Sequence, residues 1–202
     1  MTEATDAGGE RRAEVLDAAL RTFARFGYRK TSMDDIADEA RISRQGLYFL
    51  FASKSSLFRE AAERGVELDL SAAEEALTTA VWPLSERILD AFDAWAGRYV
   101  GPMHDTTALF DNNPDLLGPT ARAGPARFEA ALTAAVEESA LSGEASAAAR
   151  TLISLSIGIK HQAANRDEYR SRMADAVRLL IPRDAPRAHP ELPLTLMTDE
   201  AG

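Results

Sequence analysis

The sequence predicts an all-α protein. Three observations carry that prediction. Apolar residues recur three and four positions apart along most of the chain, no stretch alternates strictly as a half-buried strand does, and the interruptions fall at proline and glycine. The 202 residues, 46% hydrophobic and 27% charged, suit one small domain joined to a larger one. About nine helices are expected: a three-helix N-terminal unit containing a helix-turn-helix, then a larger helical body.

Taken in order, residues 1–10 (MTEATDAGGE) hold acidic groups and glycines without an apolar stripe, and read as a disordered arm. The first twelve residues lack the apolar core of a secretory signal, and no apolar run approaches membrane-spanning length, so a cytoplasmic protein without membrane contact is expected. The first helix covers Arg11 to Tyr28. A second, short helix presents Ile36, Ala37 and Ala40 on one face, and a third presents Leu47 and Phe51 at i, i+4 spacing. Only Arg41 and Ile42 separate the two faces. Ser43 is a good N-cap for the third helix, with Ile42 before it and Leu47 after it as the pair of a hydrophobic staple that fixes the entry angle.

That spacing is the spacing of a helix-turn-helix. Facing outward from the third helix are Arg44, Gln45 and Tyr48, side chains that reach base edges or phosphates when a helix N-terminus enters the major groove. Gly46 beside them is poor inside a helix by roughly 1 kcal/mol relative to alanine, which points to close backbone approach. The net charge of −9 at first argues against a nucleic-acid partner, but its distribution reverses the argument. Residues 1–60 are neutral, with ten basic and ten acidic side chains, and the whole excess lies beyond them. Between Arg41 and Arg59 there are four basic residues (Arg41, Arg44, Lys54 and Arg59) and no acidic one, a local positive stripe.

The run from Arg11 to residue 60 resembles the DNA-binding domain of the TetR family of bacterial transcriptional regulators. The resemblance rests on the opening helix, then Thr31-Ser32-Met33-Asp34-Asp35-Ile36-Ala37, Ala40, Ser43, Leu47-Tyr48, Phe51, Ser53-Lys54 and Leu57-Phe58, in order and without a gap. It implies that Arg44, Gln45 and Gly46 face bases, that Thr31 and Tyr48 touch phosphates, and that Lys54 contacts the DNA backbone from the start of the fourth helix. The candidate DNA-contacting set is therefore Thr31, Ser32, Ser43, Arg44, Gln45, Gly46, Tyr48 and Lys54. Two positions depart from the family pattern. Arg41 occupies a turn position usually held by glycine, where a left-handed backbone would strain it by about 1 kcal/mol. Leu50 stands where a tyrosine or histidine commonly reaches a phosphate, and leucine has no donor for that contact.

Beyond residue 58 the elements continue as helices. Lys54 to about Thr79 reads as one long helix, with Leu57, Phe58, Ala61, Ala62, Leu68 and Ala72 as candidate buried positions. Trp82-Pro83 opens a segment through Tyr99 (Ile88, Leu89, Phe92, Trp95), closed by Gly101-Pro102. Prolines and glycines between His104 and Pro125 predict short helices and loops, followed by a helix over 126–141. The last two helices, near 144–165 and 168–181, are rich in small and apolar residues. In the family such a pair forms a four-helix bundle with a second copy, which implies a homodimer whose two reading heads meet a palindromic double-stranded operator. Residues 182–202, proline-rich and aperiodic, read as a flexible tail. The resulting division is an arm (1–10), a reading head (11–58), a ligand-binding and dimerisation body (59–181) and a tail.

Phe92, Trp95, Tyr99, Met103, Phe110, Phe128 and His161 are the candidates to line an apolar pocket for a small-molecule effector, although such a residue taken alone is more often plain core. Enzyme chemistry has little to stand on. The chain has three histidines (His104, His161, His189), no cysteine, no H-E-x-x-H, no phosphate-binding glycine loop and no nucleophile elbow. Neither catalytic residues, a metal nor a cofactor is expected. The competing expectation is a DNA-binding protein with a tightly packed body and no effector.

Overall fold

The computed structural model describes residues 3–101, 109, 110, 112–139 and 141–181. Among these residues there are eight α-helices and no strand. They are α1 (Glu3–Phe26), α2 (Met33–Glu39), α3 (Arg44–Leu50), α4 (Lys54–Thr78), α5 (Leu84–Trp95), α6 (Pro119–Glu137), α7 (Ala145–Gln162) and α8 (Arg166–Leu180), with 3-10 turns at Gly97–Tyr99, Pro114–Leu116 and Ser142–Glu144.

Local chemistry accounts for the start of the three helices that follow α1. Ser32 and Asp35 form a reciprocal capping box on α2, and Ser53 and Ser56 form another on α4. Ser43 caps α3, its Oγ accepting from the Gly46 N–H at 3.0 Å. α1 begins at Glu3, so the expected disordered arm over 1–10 is corrected: the segment contains no proline, and Gly8 and Gly9 weaken a helix without ending it. Residues 1 and 2 and the tail over 182–202 lie outside the described residues.

The buried residues form a chain of cores threaded by α4. Val15, Phe23, Ile36, Leu47, Phe51, Leu57 and Phe58 make the N-terminal core, with Phe58 edge-on to both Phe23 and Tyr28. Val66, Leu70 and Ala121 make a small central cluster, and Leu77, Leu84, Ile88, Phe92, Phe128, Leu132, Leu152 and Met173 belong to the C-terminal core. The division expected at residues 58/59 therefore falls within one continuous helix. The expected inward positions Leu68 and Ala72 are corrected to Val66, Asp69, Leu70, Ala73 and Leu77. α4 packs against α1, α5 and α6, and its buried register runs on from Phe58 through Ala62 at steps of three and four, which puts Leu68 on the far side, 47% exposed.

α6 begins seven residues earlier than expected. Pro119 occupies its first turn, where a missing N–H costs nothing, while Pro125 lies inside the helix and deprives the Ala121 carbonyl of its usual partner. Gly124 lets α6 approach α4: a Cβ there would stand 2.7 Å from Val66 Cγ1 and 3.1 Å from Trp95 Cη2. At the other end of the body, α8 is clamped to α5. Arg166 donates to both oxygens of Asp93 (2.8 and 2.7 Å), Arg170 pairs with Asp90 and Asp93, and the buried Tyr169 hydroxyl lies 2.7 Å from Ser156 Oγ on α7. No helix among the described residues is long and apolar enough to cross a membrane.

Candidate nucleic-acid interface and internal cavity

α2 and α3 stand at the angle set by their connection. The Ile42 N–H donates to the Ala37 carbonyl at 3.0 Å and the Arg41 N–H to the Asp38 carbonyl at 3.1 Å, the paired bonds of a Schellman motif. Arg41 sits at its left-handed position with φ 54°, the one non-glycine residue with positive φ among those described. Its carbonyl accepts from Arg11 Nη2 at 3.2 Å, so α1 braces the turn. The staple pair Ile42 and Leu47 both join the N-terminal core.

α3 turns Arg44, Gln45, Tyr48 and Phe49 to solvent. Arg44 is held ready by Asp34, its Nη1 at 2.9 Å from Oδ2, with its guanidinium 5.7 Å from the Tyr48 ring centroid. Both partners are more than half exposed, so the pair is weak and a base edge or phosphate can replace it. Gly46 is half-buried, and a Cβ there would meet Ser43 Oγ at 3.2 Å, which makes glycine part of the cap's geometry as well as of the outer face. Ser32 is exposed and engaged by Asp35, whose carboxyl is held below its ordinary value by hydrogen bonds from the Ser32 hydroxyl and backbone. Phe49, 90% exposed, was absent from the expected set. Its signal was available: it follows Tyr48 on a helix whose inward positions are already taken by Leu47 and Phe51.

Two expected phosphate contacts are placed elsewhere by the structure. The Thr31 side chain is buried, its hydroxyl donating to the Gly27 carbonyl at 2.9 Å, because Thr31 ends the connection between α1 and α2. Lys54 reaches inward from the first turn of α4, its ammonium donating to the carbonyls of Tyr28 (3.0 Å) and Thr31 (3.1 Å) and lying 4.5 Å from the Tyr28 ring centroid. Two of its three N–H donors thus tie α4 to the connection between α1 and α2. Leu50 is half-buried against the N-terminal core, and its carbonyl accepts from Arg12 at 2.9 Å.

In the body, α4, α5, α6 and α7 enclose a cavity of about 500 Å³, within the range of small-molecule sites. Six of the seven expected pocket residues line it: Phe92, Trp95, Tyr99, Phe110, Phe128 and His161. Met103 lies outside the described residues. The Trp95 and Phe128 rings stack at 5.1 Å, and Phe92 meets Phe128 edge-on at 5.2 Å. His161 is exposed at the edge. The sequence reading missed Asp69, a carboxylate on the inward face of α4 that is only 4% exposed and lines the same cavity. Its oxygens accept from Arg98 and from the Tyr99 hydroxyl. Burial nevertheless raises its pKa above the ordinary carboxylate value, and burial together with Asp69 pushes the Tyr99 phenol upward. The available signal was a charged residue falling in the apolar register of an amphipathic helix. Among the described residues, no group of three or more His, Asp or Glu side chains could hold a metal.

The reading head matches a family profile described as bacterial regulatory proteins, tetR family, over residues 15–61. An uncharacterized HTH-type transcriptional regulator, YfiR, of Bacillus subtilis (strain 168) is 36% identical over 86 residues, which are 40% of each chain. A probable acrEF/envCD operon repressor of Escherichia coli (strain K12) is 41% identical over 49 residues, 24% of this chain and 22% of that one. The matched segments thus span well under two thirds of these relatives. Over most of the chain the similarity is one of fold. A putative transcriptional regulator from Saccharomonospora viridis, solved in complex with choline, superposes with a TM-score of 0.70 and 21% identity, covering 87% of this chain and all of that one. Over residues 15–61 the chain thus carries the helix-turn-helix domain of the tetR family of bacterial regulatory proteins, and its helical body shares the fold of that solved regulator.

Proposed function

We propose that this regulator is a homodimeric, ligand-responsive repressor that binds a palindromic operator and releases it when a small, largely apolar effector enters the cavity of the body. The observation that carries the reading is α4. Its first turn is tied to the reading head by Lys54, and further along the same helix Val66 and Asp69 begin the cavity wall, with no break between. A ligand that prefers one setting of α4 shifts the head separation by as much as that preference, about 1.4 kcal/mol for a tenfold difference. The reading head is residues 11–58 and the effector and dimerisation body residues 59–181.

Repression is the preferred sign, in keeping with the E. coli relative named above. The contacts assigned to DNA are Arg44, Gln45, Gly46 and Tyr48 on α3 with Ser32 and Ser43 at the helix starts, while Thr31 and Lys54 support them from behind. The dimer forms through α7 and α8. Leu155 and Ile157 on α7 are 39% and 56% exposed, Leu179 on α8 is 78% exposed, and small residues (Ala147, Thr151, Ser154, Gly158) share the outer face of α7. A DNA-binding protein without effector calls for a filled body, and a cavity of about 500 Å³ favours the effector reading instead.

The test is a pair of dimer structures, free and liganded, together with operator binding measured on the same two states. Unchanged head separation with unchanged operator affinity would sink the proposal.

A further inference from the structure

The outward side of α3 is divided into two strips. Arg44 and Tyr48 share one line along the helix and Gln45 and Phe49 share another, each pair four residues apart. Arg44 and Tyr48 are engaged with each other, guanidinium to ring centroid at 5.7 Å, and Arg44 also pairs with Asp34. Gln45 and Phe49 flank Leu47, the fully buried residue of α3, two positions before and two after it. At 3.6 residues per turn each stands about 160° round the helix from Leu47, so these two side chains point most directly away from the N-terminal core. Phe49 is 90% exposed, the highest value among the large exposed apolar residues described.

A single exposed apolar residue needs no explanation by itself, but the place of Phe49 supplies one. It continues the surface that carries Arg44 and Gln45, no acidic side chain occurs between Arg41 and Arg59, and the nearby Asp34 is paired with Arg44. Phenylalanine neither donates nor accepts a hydrogen bond, so phosphate oxygens and polar base edges offer it nothing. The one apolar group that base edges present in the major groove is the C5-methyl of thymine. We propose that Phe49 is a sequence-reading residue, its ring packed on a thymine methyl in each operator half-site. The inference rests on the reading of α3 as the helix that enters the groove, and adds which base it selects. Gln45 in the same strip suits the paired hydrogen bonds of an adenine edge, so the strip as a whole favours A·T pairs.

In the experiment the full chain first selects its operator from a pool of random duplexes. Each thymine of that operator is then replaced in turn by deoxyuridine, which lacks the methyl and keeps every hydrogen-bonding group, and binding is followed by fluorescence anisotropy. One thymine per half-site is expected to be methyl-dependent, with affinity falling about fourfold for each methyl removed. In Phe49→Ala that position is expected to bind thymine and deoxyuridine alike. The exposed ring can be truncated without opening the core, and the deoxyuridine series on the unaltered protein is decisive even where the variant does not fold. An operator with no methyl-dependent thymine overturns the inference and leaves DNA reading by α3 standing. So does a methyl dependence that survives in Phe49→Ala, including the case in which the variant loses affinity equally for every duplex, as a ring packed on deoxyribose would. Selection of no sequence at all overturns both this inference and the assignment of α3 to DNA.

Discussion

Replacing Arg41 by glycine tests how the turn between α2 and α3 is built. Arg41 has φ 54°, a backbone conformation that crowds the Cβ of any L side chain at about 1–2 kcal/mol. Glycine removes that strain but adds freedom to the unfolded chain, at roughly 0.5–1 kcal/mol. Arg41→Ala is the matched control: it deletes the same exposed cation and keeps the strain. Arg41→Gly is therefore expected to be more stable than Arg41→Ala by about 0.5–1 kcal/mol, or about 1–4 °C in Tm for a chain of this length. The order is the reverse of that inside a helix, where glycine is the worse residue. Urea unfolding followed by circular dichroism measures the difference, and an unchanged slope assigns it to stability. Equal stability of the two variants, or a less stable glycine variant, refutes the strained-turn argument. The same pair separates strain from charge. If Arg41 replaces the phosphate contact that Leu50 lacks, both variants lose operator affinity alike and the salt dependence falls by about one charge.

Four further outcomes follow from the geometry. Arg44→Ala is expected to lose about 1–3 kcal/mol of discrimination between operator and mismatched DNA in competition binding, and an equal loss on every sequence counts against a base contact. Lys54→Ala removes a charged donor from two carbonyls and is expected to lower stability by about 2 kcal/mol in thermal or urea unfolding; a variant as stable as the parent removes its anchoring role. Leu50→Tyr supplies a phosphate donor, and tighter operator binding with unchanged sequence choice is expected in gel-shift titrations; no gain means that another group already holds that phosphate. Asp69 holds its proton longer in the folded state than in the unfolded one, because burial raises its folded pKa above 3.8. Its ionisation therefore opposes folding, so stability from this group is greatest below 3.8 and is lost as pH rises through the folded pKa. Asp69→Asn is expected to be more stable than the parent at pH 7, with the advantage shrinking as pH falls toward 4, and a less stable variant at neutral pH contradicts that sign.

Much of the reading head was legible because its determinants are local. Ser43 caps α3 from its own start, Ile42 and Leu47 staple α3 across five residues, and the crowded φ of Arg41 was visible as the wrong residue at a turn. These are interactions within a few residues, so the order of residue types suffices to state them. The same reasoning failed where a side chain is used at a distance. Nothing near Thr31 or Lys54 in the chain announces that one hydroxyl turns inward or that one ammonium spans 26 residues to the Tyr28 carbonyl. Leu68 looked inward because apolar residues usually are, yet the positions of α1, α5 and α6 chose the buried register of α4 and put Asp69 there.

Fold class, the reading head and the aromatic candidates for the pocket were thus legible in the sequence alone, through periodicity, capping and the family pattern over residues 11–60. Tertiary structure decided what those aromatic residues surround. α4, α5, α6 and α7 meet around a volume that they do not fill, and helices separated by tens of residues bring Asp69, Arg98, Tyr99, Arg122 and Lys160 to one site. No spacing rule joins those five residues. The physical reason is that caps and stripes arise from neighbours along the chain, whereas a cavity and its charge arise from how packed surfaces fail to interlock.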